Sequence, residues 1–357
     1  MKLRNLLITA LCALAVSAGF TSCTEDENNS WKDGSKVDLP QYRAFILSEG
    51  TMSLNNSHLF FVNPQTDEPY ETDIFEKQNG IKLGDTANDM VTYNGNIYII
   101  VNVSKVMYKL NGSGVKLASY AFDETLGEPR NIVAYNGKIY VTCYGGYVAR
   151  FDANSLAYES KVATDPNPEQ IVVYNNKLYC VNSGYGEGHT MSVISIYPFE
   201  TIESVEIPTN PFGLQKGNDA LYIQSYRTDW TVMVSRFNPQ TNTYTEIATA
   251  TRMMADGDKL YLANSTSADW VNYTTTLSVY DEKTKITDAW NLTGTGANAI
   301  TNGNVYMIEK NPYDGSFYVA TTDYYSNSPV YHFSSDGSFI STFSAGGINA
   351  NSMVFMQ

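Results

Sequence analysis

A unit of about forty residues recurs along this chain, and that feature restricts the fold more than any motif does. Its clearest copies are Asn88-Asp-Met-Val-Thr-Tyr-Asn-Gly-Asn-Ile-Tyr98, Arg130-Asn-Ile-Val-Ala-Tyr-Asn-Gly-Lys-Ile-Tyr140, Glu169-Gln-Ile-Val-Val-Tyr-Asn-Asn-Lys-Leu-Tyr179 and Thr251-Arg-Met-Met-Ala-Asp-Gly-Asp-Lys-Leu-Tyr261. A weaker copy ends at Tyr222, so successive tyrosines lie 42, 39, 43 and 39 residues apart. In each copy an apolar strand meets an Asn-Gly type turn and returns as an apolar-Tyr-apolar strand, the pattern of a tight β-hairpin. A third and a more polar fourth strand follow, which matches the four-stranded blade of a β-propeller and excludes a helical solenoid.

Counting blades requires the two ends of the repeat region. Residues 305–343 supply one further four-stranded unit, with Asp336-Gly337 in its last turn. Tyr42 to Ser48 reads as a second strand lacking its first, and Asn349 to Phe355 as a first strand lacking its followers. Pairing these two would close the ring and abolish its free edges. The expectation is therefore an all-β, seven-bladed β-propeller over residues 41–357, closed by its N- and C-terminal strands.

The segment before the ring reads as an address. Lys2 and Arg4 precede an uncharged apolar run, small residues and then Phe20-Thr21-Ser22-Cys23, the layout of a lipoprotein signal peptide over 1–22 with Cys23 as the lipidated residue. Residues 23–40, opening with Thr24-Glu-Asp-Glu-Asn-Asn29, read as a lipidated acidic tether. The chain carries 23 basic and 37 acidic residues; without the leader this becomes 21 against 37, or −16. Such a charge disfavours nucleic acid as a partner. With 3 His and 4 Cys in the whole chain there is little material for a metal centre, and none is expected. Cys143 and Cys180 occupy the same side of equivalent strands in successive blades, which predicts two buried free thiols.

Function in a propeller gathers at one mouth of the channel, where the loops between second and third strands meet the connections between blades. The first kind spans 49–57, 102–105, 144–147, 182–190, 225–230, 264–273 and 321–329, and is rich in aromatic residues that a core does not need. The second kind, at 85–89, 127–130, 166–170, 209–212, 295–298 and 347–351, repeats amides and carboxylates around Arg130. From this placement the candidate ligand-binding residues are Arg130, Tyr144, Asn182, Tyr185, Tyr226, Trp230, Trp270 and Tyr324. No catalytic residue is assigned: His58, His189 and His332 lie in different blades, no nucleophile elbow is present, and the glycines of 183–188 open no helix.

The apolar-apolar-Tyr-Asn-Gly-Lys-Ile-Tyr-Val pattern over residues 41–357 resembles the YncE-like, surface-layer-type propellers of Bacteroidetes. With the leader and acidic run it is similar to the vitamin B12-binding surface lipoproteins of the BtuG family. That resemblance implies a noncatalytic protein without cofactor, anchored by lipid to the outside of the outer membrane. It further implies cobalamin or another corrinoid as ligand, and a TonB-dependent outer-membrane transporter of BtuB type as the partner that receives it. Two alternatives remain open on the residues alone: a surface propeller binding glycan or another partner, and a lactonase-like propeller enzyme with a carboxylate-bound metal.

Overall fold

Turn chemistry sets the local structure. Asn94 and Gly95, Asn136 and Gly137, and Asn175 and Asn176 all have positive φ, between 47° and 76°, as the mirror-image two-residue turn of a hairpin requires. The computed structural model describes residues 29–70 and 73–357, and these form seven four-stranded antiparallel sheets arranged as the blades of a propeller. Strands are lettered a to d from the channel outwards, and blades 1 to 7 in chain order. Blade 1 is made from both ends: Ala350–Met356 is its strand a and pairs antiparallel with Arg43–Ser48, its strand b, from Arg43 opposite Met356 to Ser48 opposite Ala350. Residues 1–22, expected to be a signal peptide, and the expected lipidation site Cys23 lie outside the described residues.

The repeat tyrosine holds neighbouring blades together. Tyr98 of blade 2 packs with Ile139, Val141 and Phe151 of blade 3, Tyr140 with Leu178 and Ile194 of blade 4, and Tyr179 with Leu221 and Phe237 of blade 5. Tyr222 enters blade 6 beside Leu260 and Tyr280, and Tyr318 enters blade 1 beside Ile46 and Val62. Phe45, opposite Val354, takes the same register in blade 1. Truncating a ring of this kind typically costs about 3–5 kcal/mol.

At the floor of the ring, where a–b and c–d turns lie, several of these tyrosines join a polar latch. The Tyr222 hydroxyl donates to Glu282 at 3.2 Å, and Arg236, opposite Tyr222 on strand c, makes bonds of 2.6–3.0 Å to the same carboxylate in the next blade. His332 stands opposite Tyr318 in the same register, stacks on it at 4.1 Å and meets Asp67 of blade 1 through Nδ1 at 2.7 Å. Cys143 and Cys180 are buried and free, in the contacts of blade 3 with blade 2 and of blade 4 with blade 3.

Three features depart from a plain repeat. Strand d of blade 1 shrinks to Glu68–Pro69, and helix α1 (Ile74–Asn79) covers that flank, its Asp73 cap accepting from the Phe75 and Glu76 amides. Helix α2 (Thr295–Thr301) takes the place of the polar connection expected at 295–298. Of residues 23–40, expected as a lipidated acidic tether, the part from Trp31 onwards docks on the ring. Trp31 lies 3.5 Å from the Arg43 guanidinium, Lys36 N–H donates to Gln78 at 2.8 Å, and Leu39 is buried. Its apolar Trp31, Val37 and Leu39 join the blade 1 and 2 core, which an acidic spacer could not do.

Candidate functional site at the channel mouth

Seven equivalent side chains ring the top of the channel. Three residues ahead of the position facing the repeat ring, the inner strands carry Asn351, Asn88, Arg130, Glu169, Phe212, Thr251 and Tyr306 in blades 1 to 7. In six of the seven the strand register shifts at this point. A bulge of this kind frees one residue from the ladder and re-aims its side chain. Below the ring a cavity of about 700 Å³ runs down the channel between the inner strands.

Two clusters face each other across the mouth. On one side Arg130 donates through Nε to Glu169 at 2.7 Å, and the Tyr144 hydroxyl donates to that carboxylate at 3.2 Å. Asn167 and Ser183 add further donors at 3.2 and 3.1 Å, so Glu169 is buried but fully partnered. With its amide nitrogen on the Thr86 carbonyl at 3.0 Å, Asn88 turns its oxygen to Arg130. Burial draws the Arg130 pKa down, but Glu169 and the other acceptors outweigh it and the guanidinium is held above its ordinary value. On the other side Tyr306 donates to Glu49 at 2.6 Å, and the Arg252 guanidinium lies 4.3 Å from the Tyr306 ring while donating to the Tyr306 carbonyl at 2.8 Å. Burial and the Glu49 charge push the Tyr306 hydroxyl upwards, so it stays a donor.

Deeper in the channel stand two carboxyls. Asp89 bridges blades by accepting from the Ile132 amide at 3.1 Å, and burial pushes it up to about 6 against the pull of its amide donors. Glu309 faces Tyr318, at the register filled by Val91, Val133, Val172, Gln215, Met254 and Val354 in the other blades. Burial raises it to about 8, with Asp89 adding repulsion, which favours the protonated carboxylic acid at neutral pH in a side chain that lines the cavity. Among the described residues no group of three His, Cys, Asp or Glu stands close enough to hold a metal ion. His58 pairs with Asp73 on strand c and His189 lies exposed on a rim loop.

The eight residues proposed from sequence separate into four settings. Arg130 lines the channel, with Tyr144 bonded beside it. Tyr226 and Tyr324 form a shoulder: Tyr226 stacks on Phe212 at 4.6 Å, and Tyr324 meets Tyr306 edge-on at 6.1 Å. Tyr185, Trp230 and Trp270 stand on the outer rim, 77%, 75% and 79% exposed. Asn182 is a correction. As the last residue of strand b in blade 4 it points into the sheet, is fully buried, and donates to Thr190 and Ser192 at 3.2 and 3.0 Å. Glu49, Glu169, Phe212, Arg252, Tyr306 and Glu309 were not singled out. The signal that reveals the ring is positional, a residue three ahead of the one facing each repeat ring.

No protein-family model matches the chain, and no curated protein matches it. Solved structures do resemble it. A functionally unknown protein from Desulfotomaculum acetoxidans superposes with a TM-score of 0.60 at 10% identity, covering 89% of this chain and 99% of that one. Hydrazine synthase of Kuenenia stuttgartiensis gives 0.58 at 12%, covering 70% and 77%. A catalytically inactive virginiamycin B lyase from Staphylococcus aureus, solved with quinupristin, gives 0.55 at 15%, covering 78% and 92%. At these identities the likeness is one of fold.

Proposed function

We propose that the chain is a noncatalytic capture protein that binds cobalamin, or another corrinoid, across the channel mouth. The observation that carries this reading is the mouth ring itself. Asn88, Asn351 and Arg130 of the ring, with Arg252 beside it, stand around an open cavity of about 700 Å³ together with the Glu169 and Glu49 carboxylates and the Tyr306 phenol. A corrinoid is broad, nearly flat and fringed with amides, so it needs both donors and acceptors spaced around a wide rim, with flat side chains to cover its faces. Tyr226 on Phe212 and Tyr324 on Tyr306 provide those faces. The Glu169 and Glu49 networks hold Arg130 and Tyr306 in place before any ligand arrives, which lowers the cost of ordering them on binding. In this reading Cys23 anchors the protein to the cell surface and the ligand passes on to a TonB-dependent transporter of BtuB type.

Calorimetric and absorbance titration of residues 24–357 with cyanocobalamin tests it. One ligand per chain is expected, with at least tenfold weaker binding in Arg252→Ala; neither heat nor a spectral change in the intact protein would end the reading.

One observation supports a second reading. A carboxylic acid raised to about 8 in a channel suits general acid or base work near neutral pH, and a lyase shares the fold. Incubation with quinupristin followed by mass spectrometry addresses it, with loss of turnover in Glu309→Gln as the expected signature.

A further inference from the structure

We propose that the outer rim of blades 4 to 6 is a second binding site, separate from the channel, for an extended neutral polysaccharide. Tyr185, Trp230 and Trp270 each sit on the b–c loop of successive blades with φ of 60°, 65° and 62°. A left-handed backbone is unfavourable for a bulky side chain, and none of the three rings repays it by packing into the core, being at least three-quarters exposed. The loops hold the rings out by their own hydrogen bonds. In blade 5 the Trp230 amide donates to the Arg227 carbonyl at 2.9 Å, and in blade 6 Asp269 accepts from the Val271 and Asn272 amides at 2.9 and 2.8 Å. The backbones that carry Trp230 and Trp270 are thus fixed before any ligand arrives.

Beside Trp230 lies a groove of about 670 Å³ that shares no lining residue with the channel cavity. Its walls combine the Tyr226 and Tyr244 rings with the Asn210 amide and the ion pair of Arg227 with Glu246 at 2.5 Å. Flat apolar surface next to paired donors and acceptors of cancelling charge matches a sugar ring, which presents C–H bonds on its face and hydroxyls at its edge. A protein partner would be met instead by a continuous apolar patch, whereas Trp230 follows Thr228 and Asp229, and Trp270 with Val271 stands between Asp269 and Asn272. The platforms recur in three successive blades, so the ligand that uses them all is itself a repeat. Weak stacking at each then sums through multivalency.

Native gel electrophoresis of residues 24–357 through yeast mannan, dextran and amylopectin is the test. Retardation by at least one polymer is expected, weakened at least tenfold in Trp230→Ala and in Trp270→Ala and unchanged in Arg252→Ala. No retardation by any of the three, retardation that survives both tryptophan changes, or equal loss in Arg252→Ala would overturn the proposal. Cyanocobalamin titration of the same variants reads the channel; because Tyr226 borders both sites, Trp270→Ala is the change expected to leave corrinoid binding intact.

Discussion

The floor and the mouth of this ring are built from the same forty-residue unit and behave differently. At the floor, equivalent positions carry related chemistry: Asn-Gly type turns in blades 2 to 4, an aromatic ring reaching into the next blade, and opposite it on strand c a nitrogen-bearing side chain in four blades, Lys109, Arg150, Arg236 and His332. At the mouth, equivalent positions carry Asn, Asn, Arg, Glu, Phe, Thr and Tyr. Repetition marks where residues perform one mechanical task in every blade, and divergence at fixed geometry marks where a single ligand, lacking sevenfold symmetry, is met from seven directions. The mouth is also uneven. Blades 4 to 7 each raise an aromatic side chain at positive φ from the b–c loop, while the corresponding loops of blades 1 to 3 carry Ser53, Asn55 and Lys105, or glycine at Gly146, in that conformation.

The contrast breaks first if floor residues prove dispensable. Tyr222→Ala should cost about 3–5 kcal/mol in urea unfolding, since it empties a buried junction and strips Glu282 of a donor. Ligand binding at low denaturant should be unchanged; a loss of binding without loss of stability would place function at the floor. Glu282→Ala comes next, at about 3 kcal/mol. Glu282 is buried, and its removal leaves the Arg236 guanidinium, mostly shielded at the blade 5 and 6 junction, with no acceptor. A change within 0.5 kcal/mol would mean that water replaces the latch and that the tyrosine alone holds the junction.

Glu309 tests whether the channel behaves as mouth or as core. A carboxyl raised from its ordinary value to about 8 favours the protonated form, so the folded state retains a proton that the unfolded chain has released. Stability should therefore fall as pH rises from about 4.5 to about 8 and level off beyond, no more steeply than about 1.4 kcal/mol per pH unit from this group. Asp89 adds a fall that ends near 6. In Glu309→Gln the urea midpoint should keep only the earlier fall, and its advantage over the parent should stop growing above pH 8. Parallel midpoint curves would show that water entering the channel keeps Glu309 at an ordinary carboxylate value.

The floor was legible in the sequence because its signals are local: a two-residue turn, a tyrosine at fixed spacing, an alternating strand. Ring closure followed from one orphan strand at each end. Helix α1 carried a local signal too, Asp73 at the cap with Glu76 three residues later, in a stretch to which the repeat assigns no element. The mouth was legible only in part. Arg130 and Tyr144 sit by a polar blade connection, 127–130, whereas Arg252 lies in an equally clear copy of the repeat without such a connection before it, and Tyr306 follows helix α2 in place of the connection expected at 295–298. Their convergence depends on how inner strands bulge and tilt, which no spacing rule specifies. Asn182 was misread because a loop boundary misplaced by one residue exchanges the face of a strand for its end.

The smallest effect carries the sharpest test of the rim, because its sign runs against expectation. Replacing a large aromatic residue normally destabilises, yet Trp230 is 75% exposed and sits at φ of 65°. Little apolar burial is lost when it is removed, and the left-handed backbone, which disfavours most L-residues by about 1–2 kcal/mol, suits asparagine far better. Trp230→Asn should therefore stabilise the protein by about 0.5–1 kcal/mol in chemical unfolding, while polysaccharide retardation weakens in the same variant. Glycine would relieve the same backbone but add freedom to the unfolded chain, so its gain should be smaller than that of asparagine. Stability traded for an exposed ring is what a binding platform predicts. If Trp230→Asn instead loses 1 kcal/mol or more, the indole is holding its loop in place, and the edge contact with Tyr226 at 6.1 Å is structural rather than poised for a ligand.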